Sequence, residues 1–446
     1  MTEKYDAIVI GAGVIGAPIA YEMAKMGYKT LNVDKLPDAG EGSTAGSCAI
    51  VRAHYSTADG VAMAYEGFKY WLDWENYLDN VEDEKGLAKY MNTGSILLKS
   101  QGHDWKKVQA NYDEVGVDYE EWDNDKIRKE VPVVDLHEFW PVRRPEDPKF
   151  FDEPTKKLEG GIFCPEAGYV NDPALSAHNI MRAAEAKGSK FMFNAEVVDV
   201  RSENNHVTGI TLKDGTKIDA GIVVNVGGPH SFQINKMAEG VWEGCNIKTK
   251  ALRHEVMYCP SPDEYDYINE GYHMSDGDIG CYVRPEVGNL FLIGSEDPDC
   301  DPQEWIDDPN EFYAGKGGHG RDNVLTEGQW KAQCYRLGKR IPSLAVPNQP
   351  KGVVDLYDCS DDWIPVYDKS DLPGFYMAIG TSGNQYKNAP VVGRMMAELI
   401  DACEKGLDHD KEPMQYKYKF IDRTMNVGFF SRKREINYNS SFSVNG

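Results

Sequence analysis

Tyr5-Asp6-Ala7-Ile8-Val9-Ile10-Gly11-Ala12-Gly13-Val14-Ile15-Gly16 decides how the rest of the chain is read. The apolar run Ala7 to Ile10 predicts a buried parallel strand, and it runs straight into Gly11, Gly13 and Gly16, a G-x-G-x-x-G. Ala17 to Met26 predicts a helix, with Ile19, Ala20, Met23 and Ala24 on one face and Gly27 as its stop. Thr30 to Val33 predicts a second strand, ending at Asp34, 18 positions after the third glycine. That is a complete strand-turn-helix-strand unit. Gly11 allows the tight turn, Gly13 lets backbone approach a pyrophosphate, and Gly16 lets helix and strand pack closely. The helix N-terminus offers free N–H groups and a positive dipole end to phosphates. Asp34 can accept hydrogen bonds from adenosine ribose hydroxyls. The motif does not itself separate NAD from FAD; its position at the start of the chain favours FAD.

The 446 residues exceed one simple core and predict two domains. A hydrophobic content of 41% suffices for a globular interior. The formal charge of −24 argues against nucleic acid and anionic membrane surfaces as partners. It also means that an anionic substrate needs a local basic pocket. Nine cysteines without a C-x-x-C pair give no zinc site and no disulfide framework, and no metal is expected. No signal peptide is read at the start, and no stretch approaches the ~18 apolar residues of a membrane span. The expectation is a soluble, cytoplasmic protein.

Outward from the first unit, Leu36 to Ser47 is a loop rich in Gly, Ser and Ala, leading into Cys48-Ala49-Ile50-Val51-Arg52-Ala53-His54-Tyr55. Small residues here let the chain lie against a flat ligand. Val61 to Tyr77 carries a helical apolar pattern, and Gly94 to Leu98 predicts a strand. Residues 101–150 yield no chemistry, and Gly160 to Asp172 reads as turn-rich. Asp172 and Pro173 open a helix that Gly188 stops. Short strands follow at Lys190–Phe193, Val197–Arg201 and Val207–Leu212, then a hairpin turn at Asp214-Gly215 leads to Lys217–Ile218. Ile222 to Val226 is a buried strand ending at Gly227-Gly228-Pro229-His230, where backbone can meet a ligand. Lys248 to Gly294 alternates and turns often, predicting antiparallel strands of a substrate domain. Residues 296–325 read as surface loop, Glu327 to Arg340 as helix, and Lys351–Tyr357 and Phe375–Ile379 as strands. Gly380-Thr381-Ser382-Gly383-Asn384 precedes a helix with Val392, Met395, Met396 and Leu399 as its buried stripe. A second helix N-terminus aimed at the cofactor follows from this pattern.

Four separated blocks now resemble the D-amino acid oxidase and sarcosine oxidase superfamily of FAD enzymes. They are GAGVIG (11–16), the segment from Ser43 to Tyr55, NVGGPHS (225–231) and GTSGNQYKNAPVVG (380–393). The last is similar to the S-G-H-G-F-K segment of monomeric sarcosine oxidase, and Ile50-Val51-Arg52 to its I-I-R segment. The resemblance implies an α/β fold: a discontinuous Rossmann-like FAD-binding domain plus an α+β substrate domain built on an antiparallel sheet. The expected division is 1–90, 156–235 and 346–410 for FAD, 91–155 and 236–345 for substrate, and a tail over 411–446. The cofactor contacts implied are Gly11, Gly13, Val14, Ile15, Gly16, Asp34, Lys35, Ser43, Thr44, Ser47, Cys48, Val197, Gly227, Gly228, Gly380, Gly383, Asn384, Gln385, Tyr386 and Lys387.

Arg52 and Lys387 match the two cations that hold the substrate carboxylate in that family: an Arg fork plus a Lys point charge. The competing reading gives Arg52 a structural acid and makes Lys387 a surface lysine. Tyr282 and Tyr357 match pocket tyrosines. Two departures matter. The cysteine that carries covalent flavin falls at Asp355, with Cys359 four residues off, so FAD is expected to be non-covalent. The lysine that assists oxygen falls at Leu292 or Ile293, which favours a dehydrogenase over an oxidase. His54 and His254 read as structural, and no catalytic acid or base is assigned. The implied reaction is oxidation of an amino acid or N-methylated amino acid (sarcosine, dimethylglycine, proline-like) by hydride transfer to flavin, giving an imine. The electron acceptor is left open among oxygen, a quinone and an electron-transfer protein. Alternatives are a glycerol-3-phosphate-type dehydrogenase and the flavin subunit of a multi-subunit amine dehydrogenase.

Overall fold

The computed structural model describes residues 4–315 and 324–445. Its six-stranded sheet runs in the order Val366–Lys369, Phe375–Ile379, Ile222–Asn225, Ala7–Ile10, Thr30–Val33, Lys190–Met192. All neighbours are parallel except the outermost hairpin pair, Val366–Lys369 with Phe375–Ile379. Ala7 pairs with Ile222 on one side and Thr30 on the other. The centre of the sheet is covered on both faces, which is why its strands read as unbroken apolar runs. The helix Gly16–Lys25 lies against the helices Pro173–Ala186 and Ala389–Glu404. Asp172 caps the first of these by accepting the Leu175 N–H at 2.9 Å, as its sequence position predicts.

The second sheet is larger and mostly antiparallel. It runs Glu304–Ile306, Thr249–Pro260, Leu290–Ser295, Cys281–Glu286, His273–Asp276, Ser95–Leu98, Gly161–Cys164, Glu120–Trp122, with Gly352–Ser360 also pairing along Thr249–Pro260. Ser95–Leu98 and His273–Asp276 are parallel, the exception in this sheet. Gly161–Cys164 and Gly352–Ser360 therefore belong to the second sheet, although the sequence division put both on the cofactor side. Their apolar runs carry no mark of which sheet they join. Long-range pairing decides that.

Other differences have local causes. The helix expected over Val61 to Tyr77 is two, Ala58–Leu72 and Trp74–Tyr77, because Asp73 leaves the helical region. Residues 101–150 hold the helices Trp105–Val115 and Asn124–Glu130. Each is capped by an aspartate, Asp104 or Asp123, but buries only one residue fully, so no apolar stripe announces it. The turn-rich segment 160–172 contains the strands Gly161–Cys164 and Gly168–Val170. The surface-loop reading of 296–325 gives way to a short strand and a short helix, Pro309–Tyr313; its residues 316–323 lie outside the described residues. The tail divides between the two halves: Val444, near its end, packs with Tyr282 and Leu292 of the second sheet, and most of the rest lies on the cofactor half. Its Tyr416, Tyr418, Met425 and Phe430 pack into the core of the cofactor half, and Glu66 accepts the backbone N–H groups of Lys419, Phe420 and Ile421. No helix among the described residues is long and apolar enough to cross a membrane.

Candidate active site

A cavity of about 370 Å3 is lined from both sheets. Its floor is the glycine turn. Gly11 has φ +121°, and a Cβ there would lie 2.4 Å from the Val226 carbonyl oxygen. A Cβ on Gly16 would lie 2.3 Å from the Gly11 carbonyl oxygen. Both contacts are backbone to backbone and cannot yield, so only glycine fits. Polar side chains lock the turn. Asp34 accepts the N–H groups of Ala12 at 2.8 Å and Leu36 at 2.9 Å. Asn32 donates to the carbonyls of Gly11 and Gly16 at 3.1 and 3.3 Å. Thr44 Oγ1 accepts the Val14 N–H at 3.1 Å. Asn225 Oδ1 accepts the Gly227 N–H at 3.0 Å and so shapes the second glycine turn. Burial raises the Asp34 carboxyl above its ordinary range. A side-chain-free cradle at a helix start, with a half-buried acid at the end of the next strand, fits the pyrophosphate and ribose of FAD.

Of the cofactor contacts named from sequence, all but one line this cavity. Gly380 is the exception: it stands behind the wall at φ +68°, its N–H donated to Asp358 at 2.7 Å. Its positive φ turns the chain there. Lys35 faces His230 Nε2 at 2.8 Å and Asn310 Oδ1 at 2.6 Å. Burial and the Lys35 charge together bring the His230 imidazole down to about 4.

Arg52, just after the strand Ile50–Val51, and Lys387, in the turn before the last long helix, also line the cavity and come together over the Tyr55 ring, 5.2 and 4.9 Å from its centroid. Arg52 is 7% exposed and Lys387 3%. Lys387 Nζ donates to the Tyr55 hydroxyl at 2.7 Å and the Asn384 carbonyl at 2.8 Å. Arg52 donates to the carbonyl of His54, and to that of Val444 at 2.8 Å. Among the described residues neither has an acidic partner. The readings of a structurally paired arginine and a surface lysine both fail. Burial first, and the Arg52 charge second, hold the Lys387 ammonium well below its ordinary range.

Tyr282 and Tyr357 also line the cavity. The Tyr282 hydroxyl is 3.2 Å from Cys48 Sγ, and Tyr357 stacks on His254 at 3.9 Å. Leu292 packs in the same apolar cluster as these tyrosines, whereas Ile293 faces the other side of the sheet. Asp355 lines the cavity and accepts the Tyr313 hydroxyl at 2.6 Å; Cys359 is buried and does not line it. His54 is buried on Ser275 at 3.1 Å, and His254 pairs with Asp297 at 3.1 Å behind Tyr357; neither histidine lines the cavity. Sequence reading missed Asn32, Tyr55, Tyr313, Asp358 and Val444. Asn32, a polar residue in an otherwise apolar strand, was the one visible signal among them.

The fold and the glycine cradle define a flavoprotein oxidoreductase. The chain belongs to the DAO family, FAD dependent oxidoreductase, whose model matches residues 6–399. It is an FAD-dependent enzyme. Among relatives it is 23% identical to sarcosine oxidase subunit beta of Rhodobacter capsulatus, over 96% of this chain and 92% of that one. It is 22% identical to glycine oxidase of Geobacillus kaustophilus, over 92% of this chain and 96% of that one. In structure it is similar to L-proline dehydrogenase from P. horikoshii, with TM-score 0.73, 20% identity and coverage of 97% and 98%. The relatives it matches include amino acid and N-methylamino acid oxidoreductases.

Proposed function

We propose that this chain oxidises the C–N bond of a small amino acid or N-methylated amino acid of the sarcosine, dimethylglycine or proline kind. The carrying observation is the pair of buried cations without acids, Arg52 and Lys387, on one cavity with the glycine cradle. In an interior, an unpaired charge costs several kcal/mol unless a partner arrives. A substrate carboxylate is that partner. Arg52 presents a planar fork and Lys387 a point charge, which together orient the carboxylate. Tyr282 and Tyr357 supply apolar walls that exclude water. The same two positive charges disfavour an ammonium beside them and so favour the neutral amine that oxidation requires. Bound FAD supplies the electron sink, accepting a hydride equivalent from the carbon beside nitrogen and leaving an imine that water hydrolyses. No side chain is assigned as general base.

FAD is held without a covalent bond in this reading, since Asp355 occupies the tether position. A dehydrogenase is favoured, since Leu292 at the oxygen-lysine position is apolar. A second reading is the flavin subunit of a larger complex; the likeness to a sarcosine oxidase subunit beta supports it. Arg52 and Lys387 could hold the phosphate of glycerol 3-phosphate instead, but among the described lining residues no further lysine or arginine joins them except Lys35, which faces His230, and that counts against this reading. The test is an anaerobic spectrum of the purified protein titrated with N-methyl and cyclic amino acids, then exposed to air. Bleaching by one of them supports the proposal. Bleaching only by glycerol 3-phosphate refutes it. Fast recovery in air refutes the dehydrogenase reading alone.

A further inference from the structure

The basic tail, unexplained by its sequence, leads into the site. Arg434 is pinned to Asp362 at 2.7 Å, the Asn437 N–H reaches Asp362 at 3.3 Å, and Lys107 holds the Asn439 carbonyl at 2.8 Å. From there the segment 440–445 turns inward. The Ser56 N–H donates to the Asn445 carbonyl at 3.2 Å. Val444 is buried, lines the cavity, and packs in the cluster of Tyr282 and Leu292, with Tyr357 against it. Its carbonyl takes one guanidinium nitrogen of Arg52 at 2.8 Å.

We infer that Val444 is a specificity-determining residue: the tail forms one wall of the substrate pocket and sets the bulk a carboxylate ligand can carry. The inference rests on the carboxylate reading of Arg52 and Lys387. Two effects follow from the position of Val444. Its carbonyl, with that of His54, anchors Arg52 from two sides and leaves the remaining N–H groups of its five free for a ligand. Its isopropyl group, on the tyrosine cluster, meets whatever the ligand carries beyond the carboxylate. A methylene more or less in such a contact changes affinity by about 10- to 200-fold. The tail's ion pairs hold this wall to the cofactor half, so its place does not depend on the ligand.

The test uses the FAD-loaded full chain, titrated with acetate, propionate, butyrate and benzoate and read by the shift in flavin absorbance. The ratio of benzoate to acetate affinity is expected to rise about tenfold in Val444→Ala and to fall about tenfold in Val444→Phe. A chain ended after Ser440 is expected to lose most discrimination by size. Retained flavin and an unchanged Tm in Val444→Ala show that the fold is intact. If the native chain binds carboxylates, Arg52→Met abolishes binding, and the Val444 variants keep the native size profile, this inference is overturned while the carboxylate reading stands. If no carboxylate binds either the native or the shortened chain, the carboxylate reading fails and takes this inference with it.

Discussion

Arg432 in the tail and Arg52 at the cavity are both buried arginines in a strongly acidic chain, and the fold treats them in opposite ways. Arg432 is caged by Asp368 at 2.9 Å, Asp371 at 2.6 Å and Asp410 at 2.9 Å. Arg336 and Arg340 likewise hold Asp301 and Asp276, at 2.7 and 2.6 Å. Among the described residues Arg52, with Lys387 beside it, has no acidic partner: the two donate to carbonyls and a tyrosine hydroxyl and stand over the Tyr55 ring. With 72 acidic against 48 basic residues, acids are plentiful, so the lack of one here is a property of the site and not of composition. A caged cation fixes structure. An uncaged one is left with hydrogen-bonding capacity for an anionic ligand.

The sharpest way to break this contrast is to remove each charge and compare what fails. Arg432→Met strands Asp368, itself fully buried, and is expected to cost about 3–5 kcal/mol in urea unfolding while leaving carboxylate affinity intact. Arg52→Met should do the reverse. It is expected to lower kcat/KM for an amino acid substrate about 10^2- to 10^3-fold, with stability unchanged or raised. Equal stability losses in the two variants would erase the distinction.

Lys387 sharpens it through pH. In the empty pocket its ammonium is held well below the ordinary range by burial and Arg52, and a bound carboxylate pulls it back up. Binding then takes up a proton. Carboxylate affinity is expected to fall by up to about tenfold per pH unit above the empty-pocket value, and Lys387→Met should flatten that slope. Calorimetry in two buffers of different ionisation heat reads the proton directly. The stability sign is the converse. The unfolded chain binds a proton that the folded one does not, so this group's contribution rises with pH from the depressed value up to the ordinary lysine range. The smallest effect is a control. Asp172 serves only as a helix cap, so Asp172→Ala should cost about 1 kcal/mol and leave the carboxylate titration unchanged.

Much of the cofactor cradle was legible because it is local. Gly11, Gly16 and Asp34 lie within one supersecondary unit, and their spacing alone forces the turn and the end of the next strand. The cations were legible only through resemblance to a family, since nothing in I-V-R or Y-K-N says that an arginine will lack an acid. Gly380 stands outside the lining for a related reason. A glycine before a helix can turn the chain or face a cavity, and the hydrogen bond of its N–H to the distant Asp358 is not written in the local sequence.

The sequence by itself determined the parallel cofactor sheet, its glycine turn and the helices that cover it, because apolar periodicity and positive-φ glycines act over a few residues. The tertiary structure decided which sheet Gly161–Cys164 and Gly352–Ser360 would join, that Arg52 and Lys387 would meet without an acidic partner among the described residues, and that Val444 would close on them. Those outcomes depend on contacts between residues as many as 392 positions apart, as for Arg52 and Val444. Pairing, burial and charge compensation over such separations are set by the packed whole, and no local pattern encodes them.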